Sequence, residues 1–257
     1  ILPRLRMMEW PSLTSPMASS GRAASPVTML LITLAALFAS MIVALIVGSG
    51  PDGWTISTGN LLADLAQWRV PRILVAAAAG AMLAAAGVMV QRLTGNPLAS
   101  PEVLGVGTGA GAGLTAVLLI NATAGLFWQI AGAAAGALGA LVLILGVAAR
   151  GKFGPERLLL GGVAIGAAAS AIITAVVAMG TTTSYTLLTW LTGSTAQADA
   201  TQAFTALALM VVLIGPALLT VRWLDILPLG GETARSLGLP LVRARFLVVL
   251  LAALMTA

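Results

Sequence analysis

Apolar residues in this chain do not alternate with polar ones; they run on. Uncharged runs of about 18 residues or more recur, and at about 1.5 Å of rise per residue each matches a hydrocarbon core of about 30 Å. They predict spanning helices at 27–48, 73–90, 103–120, 126–149, 158–179 and 203–221. A further run starts at Phe246 and reaches Ala257, too few residues to cross a bilayer. Strands of a membrane barrel would put a polar side chain at every second position, and these runs do not. The expected class is all-α, a polytopic transmembrane bundle. The first run is too long, and too often repeated downstream, to be a removable signal peptide.

The polar breaks carry the other half of the pattern. Residues 7–26, MMEWPSLTSPMASSGRAASP, lack helical periodicity and read as a linker, so 1–26 is expected to be a cytoplasmic linker after a preceding domain and 27–257 a partial membrane domain. The opening on Ile1 and the short last run both predict a piece of a longer polypeptide. With the N-terminus of the fragment placed inside, Arg4, Arg6, Arg22, Arg92, Arg150, Lys152, Arg157, Arg222, Arg235, Arg243 and Arg245 all fall on the cytoplasmic side, and Arg69 and Arg72 alone fall outside. Asp52, Asp64 and Asp199 then lie outside.

Composition narrows the chemistry. The chain of 257 residues is 59% hydrophobic and 8% charged, with a mean hydropathy of +1.04, too apolar for a soluble domain to cover. It holds no Cys and no His, which removes thiolate and imidazole metal sites, Cys nucleophiles and Ser-His-Asp triads; no metal site is expected. The net charge of +5 comes from basic residues scattered at helix ends rather than gathered in a stripe, so nucleic acid is not an expected partner and the lipid bilayer is. Gly146 to Phe153, GVAARGKF, imitates a phosphate loop, but Phe153 stands where a hydroxyl must reach magnesium. GTGAGA from Gly107 imitates a dinucleotide fingerprint without its strand–helix–strand unit. No carboxylate, Lys or Arg falls inside a span so drawn, which argues against an ion-coupled carrier. Glycines at 105, 107, 109, 111 and 113, at 132 and 136, and at 161, 162 and 166 either pack helices closely or line a path.

One break stands out: QRLTGNPLASPEVLG, residues 91–105, where Arg92 ends a helix, Pro97 and Pro101 forbid its continuation, and Glu102 suits the start of the next. It resembles the N-P-L-A-x-P-x-x-L-G turn of the iron-chelate and cobalamin permeases of ABC importers. The likeness continues through WRVPRILVAAAAGAMLAAAG from Trp68, LLLGGVAIG from Leu158, LLTWLTGST from Leu187 and LPLGGETARSLGL from Leu227, covering most of 67–245. Within the family it is nearest to members that import ferric hydroxamate siderophores and fuse two such domains in one chain.

The resemblance implies a type II importer permease fold, no covalent chemistry and no cofactor bound directly, with ATP and magnesium held by a dimer of partner ATPase subunits. It also implies a bacterial inner membrane, a periplasmic substrate-binding protein, a second permease half fused upstream, and later helices that are missing here. The segment 227–240 reads physically as a short capped surface helix, either a plain interfacial one or a docking one. The family's coupling helix carries the docking role to Glu232, Thr233, Ala234, Arg235, Leu237 and Gly238. Arg69 and Arg72 either snorkel at the interface or, as the family's R-x-P-R implies, meet acids of the binding protein. Asn96, Pro97 and Leu98 match the family's inner-mouth turn, an expected cytoplasmic gate beside the loop 152–157. The alternatives are a secondary carrier, an intramembrane enzyme or scaffold, and a permease of the same family for cobalamin or haem.

Overall fold

The computed structural model describes residues 25–50, 53–149 and 155–257. The linker expected at 1–26 falls almost wholly outside the described residues, as do residues 152–154 of the loop expected beside the gate. The chain divides into one unit ending at Ala44 and another running from Leu45 to Ala257.

In the first unit the described residues belong to α1 (Pro26–Ile46), uncharged throughout and started by Ser25, whose Oγ accepts the Thr28 amide at 3.1 Å. An N-cap of this kind satisfies an amide that the first helical turn leaves unpaired. Its last residues, Leu45 and Ile46, belong to the second unit.

The second unit begins with a hairpin that the sequence pattern did not predict: β1 (Val47–Gly50) pairs antiparallel with β2 (Gly53–Ile56), Val47 opposite Ile56 and Gly48 opposite Thr55. The strands are short and rich in glycine, so they lack the alternation that marks a strand in sequence. Next comes α2 (Asn60–Thr94), 35 residues, longer than the run of 73–90 expected to span. Its first turns hold Asp64, Arg69 and Arg72 within the helix, and Pro71 lies inside it. The helix therefore continues well past the apolar run, and a hydropathy pattern reports only the apolar part.

A 3₁₀ turn (Pro101–Leu104) precedes α3 (Val106–Ile120), which at 15 residues is shorter than the expected 103–120 because Gly105, at φ 68°, separates the two. Then follow α4 (Leu126–Ala149), α5 (Pro155–Ala178), the short α6 (Thr182–Leu191), α7 (Ala200–Leu219), α8 (Val221–Ile226), a 3₁₀ turn (Leu227–Leu229), α9 (Gly231–Ser236) and α10 (Leu241–Thr256). Among the described residues five helices are long and apolar enough to cross a membrane, α1, α2, α4, α5 and α7, and α3 is a shorter apolar one. The all-helical class holds, with the hairpin added.

In lipid the helices gain nothing from hiding oil from oil, so close packing holds them together. The tightest crossing is α3 on α4. A Cβ at Gly113 would land on the Gly132 carbonyl oxygen, and one at Gly136 on that of Gly109. One continuous buried cluster joins Val90 of α2, Leu114 of α3, Ile144 of α4 and Val248 of α10.

Candidate functional site

The polar elements collect at the two ends of α2. At about 1.5 Å per residue, Arg69 and Gly95 stand about 40 Å apart along its axis, so they belong to opposite ends of the bundle.

At the C-terminal end of α2, Gly95 adopts φ 65°, and the Thr94 hydroxyl donates to the Val90 carbonyl at 2.9 Å. The Asn96 side-chain oxygen then accepts the Leu98 amide at 2.9 Å, and the Ala99 amide donates to the Asn96 carbonyl at 3.1 Å. Asn folds the chain on itself while Pro97, having no N–H, asks for no partner. Leu98 is left 89% exposed at the tip, whereas Ala99 is buried. The far limb is seated by Gly105: its position against α5 is so close that a Cβ would strike the Gly162 carbonyl oxygen. Asn96, Pro97 and Leu98 thus form a projecting tip on a fixed base.

The segment after α8 builds the second element of this end. Pro228 and Leu229 turn the chain, and α9 runs for six residues from Gly231 to Ser236. Its end is a Schellman motif: the Gly238 amide donates to the Arg235 carbonyl at 2.9 Å and the Leu239 amide to that of Ala234 at 3.0 Å, with Gly238 at φ 80°. The helix is shorter than the expected segment 227–240 because these bonds close it. Glu232, Thr233, Arg235, Leu237 and Gly238 are exposed, and Leu237 leaves 58% of its surface uncovered. Ala234 is the exception: it is 0% exposed and faces the bundle. It seats the helix, and Leu239, buried beside it, was not among the residues read from sequence, although the Gly at C′ is the signal that marks such a contact. Ala234, Leu239, Leu241 and the turn's Ala99 all belong to the buried cluster that runs through the bundle.

At the other end, Arg72 is exposed on α2, and Arg69 is half-buried with its Nη1 donating to the Leu45 carbonyl at 2.5 Å. The two arginines stand about one helical turn apart on α2, the first half-buried and the second exposed. Elsewhere a cleft of about 230 Å³ is bounded by α3, α6 and the end of α10; it includes Gly107, Gly111, Trp190 and Thr256 and no charged side chain. Such walls recognise shape and apolar surface rather than charge.

Among the described residues, five helices long and apolar enough to cross a bilayer, packed around an apolar interior, define a multi-pass membrane protein. The chain belongs to the FecCD transport family, whose family model matches residues 31–257. It is 41% identical over 260 residues to the iron(3+)-hydroxamate import system permease protein FhuB of Escherichia coli (strain K12), covering 100% of this chain and 39% of that protein. It is 39% identical over 201 residues to the vitamin B12 import system permease protein BtuC of Salmonella paratyphi A (strain ATCC 9150 / SARB42), covering 77% of this chain and 60% of that protein. This chain therefore spans less than two thirds of either relative. A solved structure of a metal-chelate type ABC transporter in an inward-facing conformation has the same fold, with a TM-score of 0.75 and 23% identity over 89% of this chain and 72% of that one.

Proposed function

We propose that this chain is part of the permease subunit of an ATP-driven importer that moves ferric hydroxamate-type siderophore from periplasm to cytoplasm across a bacterial inner membrane. The observation that carries the reading is the 41% identity to FhuB over the whole chain. Residues 27–257 form a partial permease domain, 1–26 link it to a second permease half fused upstream, and the partial coverage of FhuB supports a longer protein. The permease does no covalent chemistry; a dimer of separate ATPase subunits binds ATP and magnesium and hydrolyses the nucleotide.

The end built by Asn96–Leu98 and α9 faces the cytoplasm. Closing ATPase subunits push on the surface offered by Glu232, Thr233, Arg235, Leu237 and Gly238. Because Ala234 seats this helix on the cluster that also holds Ala99, the push reaches the turn at the inner mouth, where Asn96, Pro97 and Leu98 act as the gate. A loaded binding protein docks at the outer end on Arg69 and Arg72, where opposite charge gives orientation and speed.

Replacing Glu232 and Arg235 together by Ala in the complete permease, reconstituted with its ATPase subunits, is expected to leave ATP hydrolysis in place and abolish siderophore uptake while membrane insertion persists. Uptake at the wild-type rate would remove the coupling role. A second reading, import of vitamin B12, rests on the 39% identity to BtuC; competition between a ferric hydroxamate and vitamin B12 for uptake separates the two.

A further inference from the structure

The β1–β2 hairpin touches the outer charges directly. Arg69 donates through Nη1 to the Leu45 carbonyl at 2.5 Å, in the last turn of α1, where carbonyls lack a partner within the helix. Its Nη2 lies so close to β1 that a Cβ on Gly48 would overlap it. A guanidinium has five N–H donors, so this bond leaves others for an acidic partner. The return strand is fastened as well: Ser57, the residue just after β2, donates its amide to the Ile46 carbonyl at 2.9 Å. Hairpin and docking charge therefore form one continuous surface.

On that surface β2 is bare. Successive side chains of a strand point to opposite faces, which puts Trp54 and Ile56 on one face and Thr55 on the other. Trp54 is 85% exposed and Ile56 72%. One exposed apolar residue needs no explanation. Two on one face of a four-residue strand, one of them Trp and both beside arginines, make the combination that dominates the energetic centres of protein–protein contacts.

Lipid is the other partner that an open Trp could meet, and the position of β2 argues against it. Asn60, the first residue of α2, stands about 20 Å along the helix axis before Ile73, where the apolar run begins. The four residues from Ile56 to Asn60 reach at most about 14 Å, so Ile56 lies beyond the edge of that run. Its neighbours on α2 are the polar first turns that hold Asp64, Gln67, Arg69 and Arg72.

We propose that Trp54 and Ile56 are the apolar contact of the outer docking surface, seated on an apolar patch that the substrate-binding protein carries beside the acids facing Arg69 and Arg72. The inference rests on the docking reading and adds to it a division of labour. Charge pairs set orientation and the rate of encounter, whereas a desolvated aromatic contact sets how long the complex lasts.

The test uses the complete permease with its ATPase subunits in lipid nanodiscs and the purified, loaded substrate-binding protein of the same transport system. Association and dissociation rates are measured at low and high salt. Trp54→Ala is expected to speed dissociation about tenfold at both salt concentrations and to leave association within about twofold. Trp54→Phe, which keeps an aromatic ring, and Thr55→Ala, on the opposite face, are expected to dissociate at nearly the wild-type rate. Arg72→Glu is expected to slow association at low salt and to matter less at high salt. In a permease otherwise free of Cys, a nitroxide on Trp54→Cys is expected to be relaxed by a water-soluble nickel complex before the binding protein is added, and shielded from it afterwards.

Wild-type dissociation in Trp54→Ala, or equal acceleration in Thr55→Ala, would overturn the proposal while a slowed Arg72→Glu kept the docking reading. If Trp54→Ala does not assemble, Ile56→Ser decides by the same rates. Relaxation of the nitroxide by oxygen rather than nickel would place Trp54 in lipid and overturn the proposal too. Fast dissociation in Trp54→Ala with no effect of Arg72→Glu at any salt concentration would keep the hairpin contact and remove the charged one.

Discussion

At Gly113 one methyl group decides whether α3 and α4 can meet. Gly113→Ala and Gly136→Ala would each drive a Cβ into a backbone carbonyl of the other helix, which cannot retreat as a side-chain tip can. Each is expected to cost about 1–3 kcal/mol, read as a lower unfolding midpoint of the intact permease in detergent. Gly139→Ala, on the same helix with open space at its Cβ, is the control. It is expected to be neutral or to add about 0.5–1 kcal/mol by favouring the helix. Equal losses at all three positions would show that the crossing is not the cause. The row of glycines was plain in the sequence, but its sorting was not. Gly109 and Gly113 face α4, whereas Gly111 faces Ile173 and Gly107 faces Thr256. Alternate glycines at 105–113 fit several helix faces equally, and only the position of the neighbours selects one.

Among the elements, the turn from Gly95 to Gly105 shows how much a pattern of breakers conveys. Pro97 and Pro101 announced that α2 must stop, and it stops at Thr94. The 3₁₀ turn and the late start of α3 at Val106 were not legible, because both follow from contact with α5 and not from local preference. That contact yields a contrast between two glycines of nearly equal φ, 65° at Gly95 and 68° at Gly105. Gly95 has nothing within 4 Å of a built Cβ, so Gly95→Ala bears only the left-handed penalty of about 1–2 kcal/mol. Gly105→Ala adds an overlap with the Gly162 carbonyl oxygen, expected to cost about 1–3 kcal/mol more. The larger loss at 105 would appear in thermal unfolding of the purified permease; equal losses would mean that the base of the turn can yield. The hairpin and α6 escaped the sequence reading for different reasons. The hairpin is too short and too rich in glycine to show alternation, and α6 mixes hydroxyl and apolar side chains over only 10 residues. Its start was marked all the same, by Thr181 and Ser184, whose side chains each meet the other's amide.

For the whole molecule the governing question is which end faces the cell interior. Hydropathy located most of the spans, since the energy that dictates them is written residue by residue. Orientation rests on the weaker signal of where Lys and Arg fall. That count puts the turn at 95–105 and α9 on one side, and both contribute residues to the buried cluster that runs through the bundle. Arg92, Arg222, Arg235, Arg243 and Arg245 flank those elements, whereas Arg69 and Arg72 lie about 35–40 Å from Gly95 along α2. The chain has no Cys, so single cysteines report cleanly. Leu98 and Trp54, 89% and 85% exposed, mark the two ends, with Thr233, also exposed, beside the first. In intact cells stripped of their outer membrane, an impermeant maleimide is expected to label Trp54→Cys and to spare Leu98→Cys and Thr233→Cys until the cells are lysed. Labelling of Thr233→Cys before lysis would put α9 beyond the reach of any cytoplasmic ATPase and Arg72 beyond that of a periplasmic protein. Gating and docking would fall together, because both rest on the one orientation that the basic residues give.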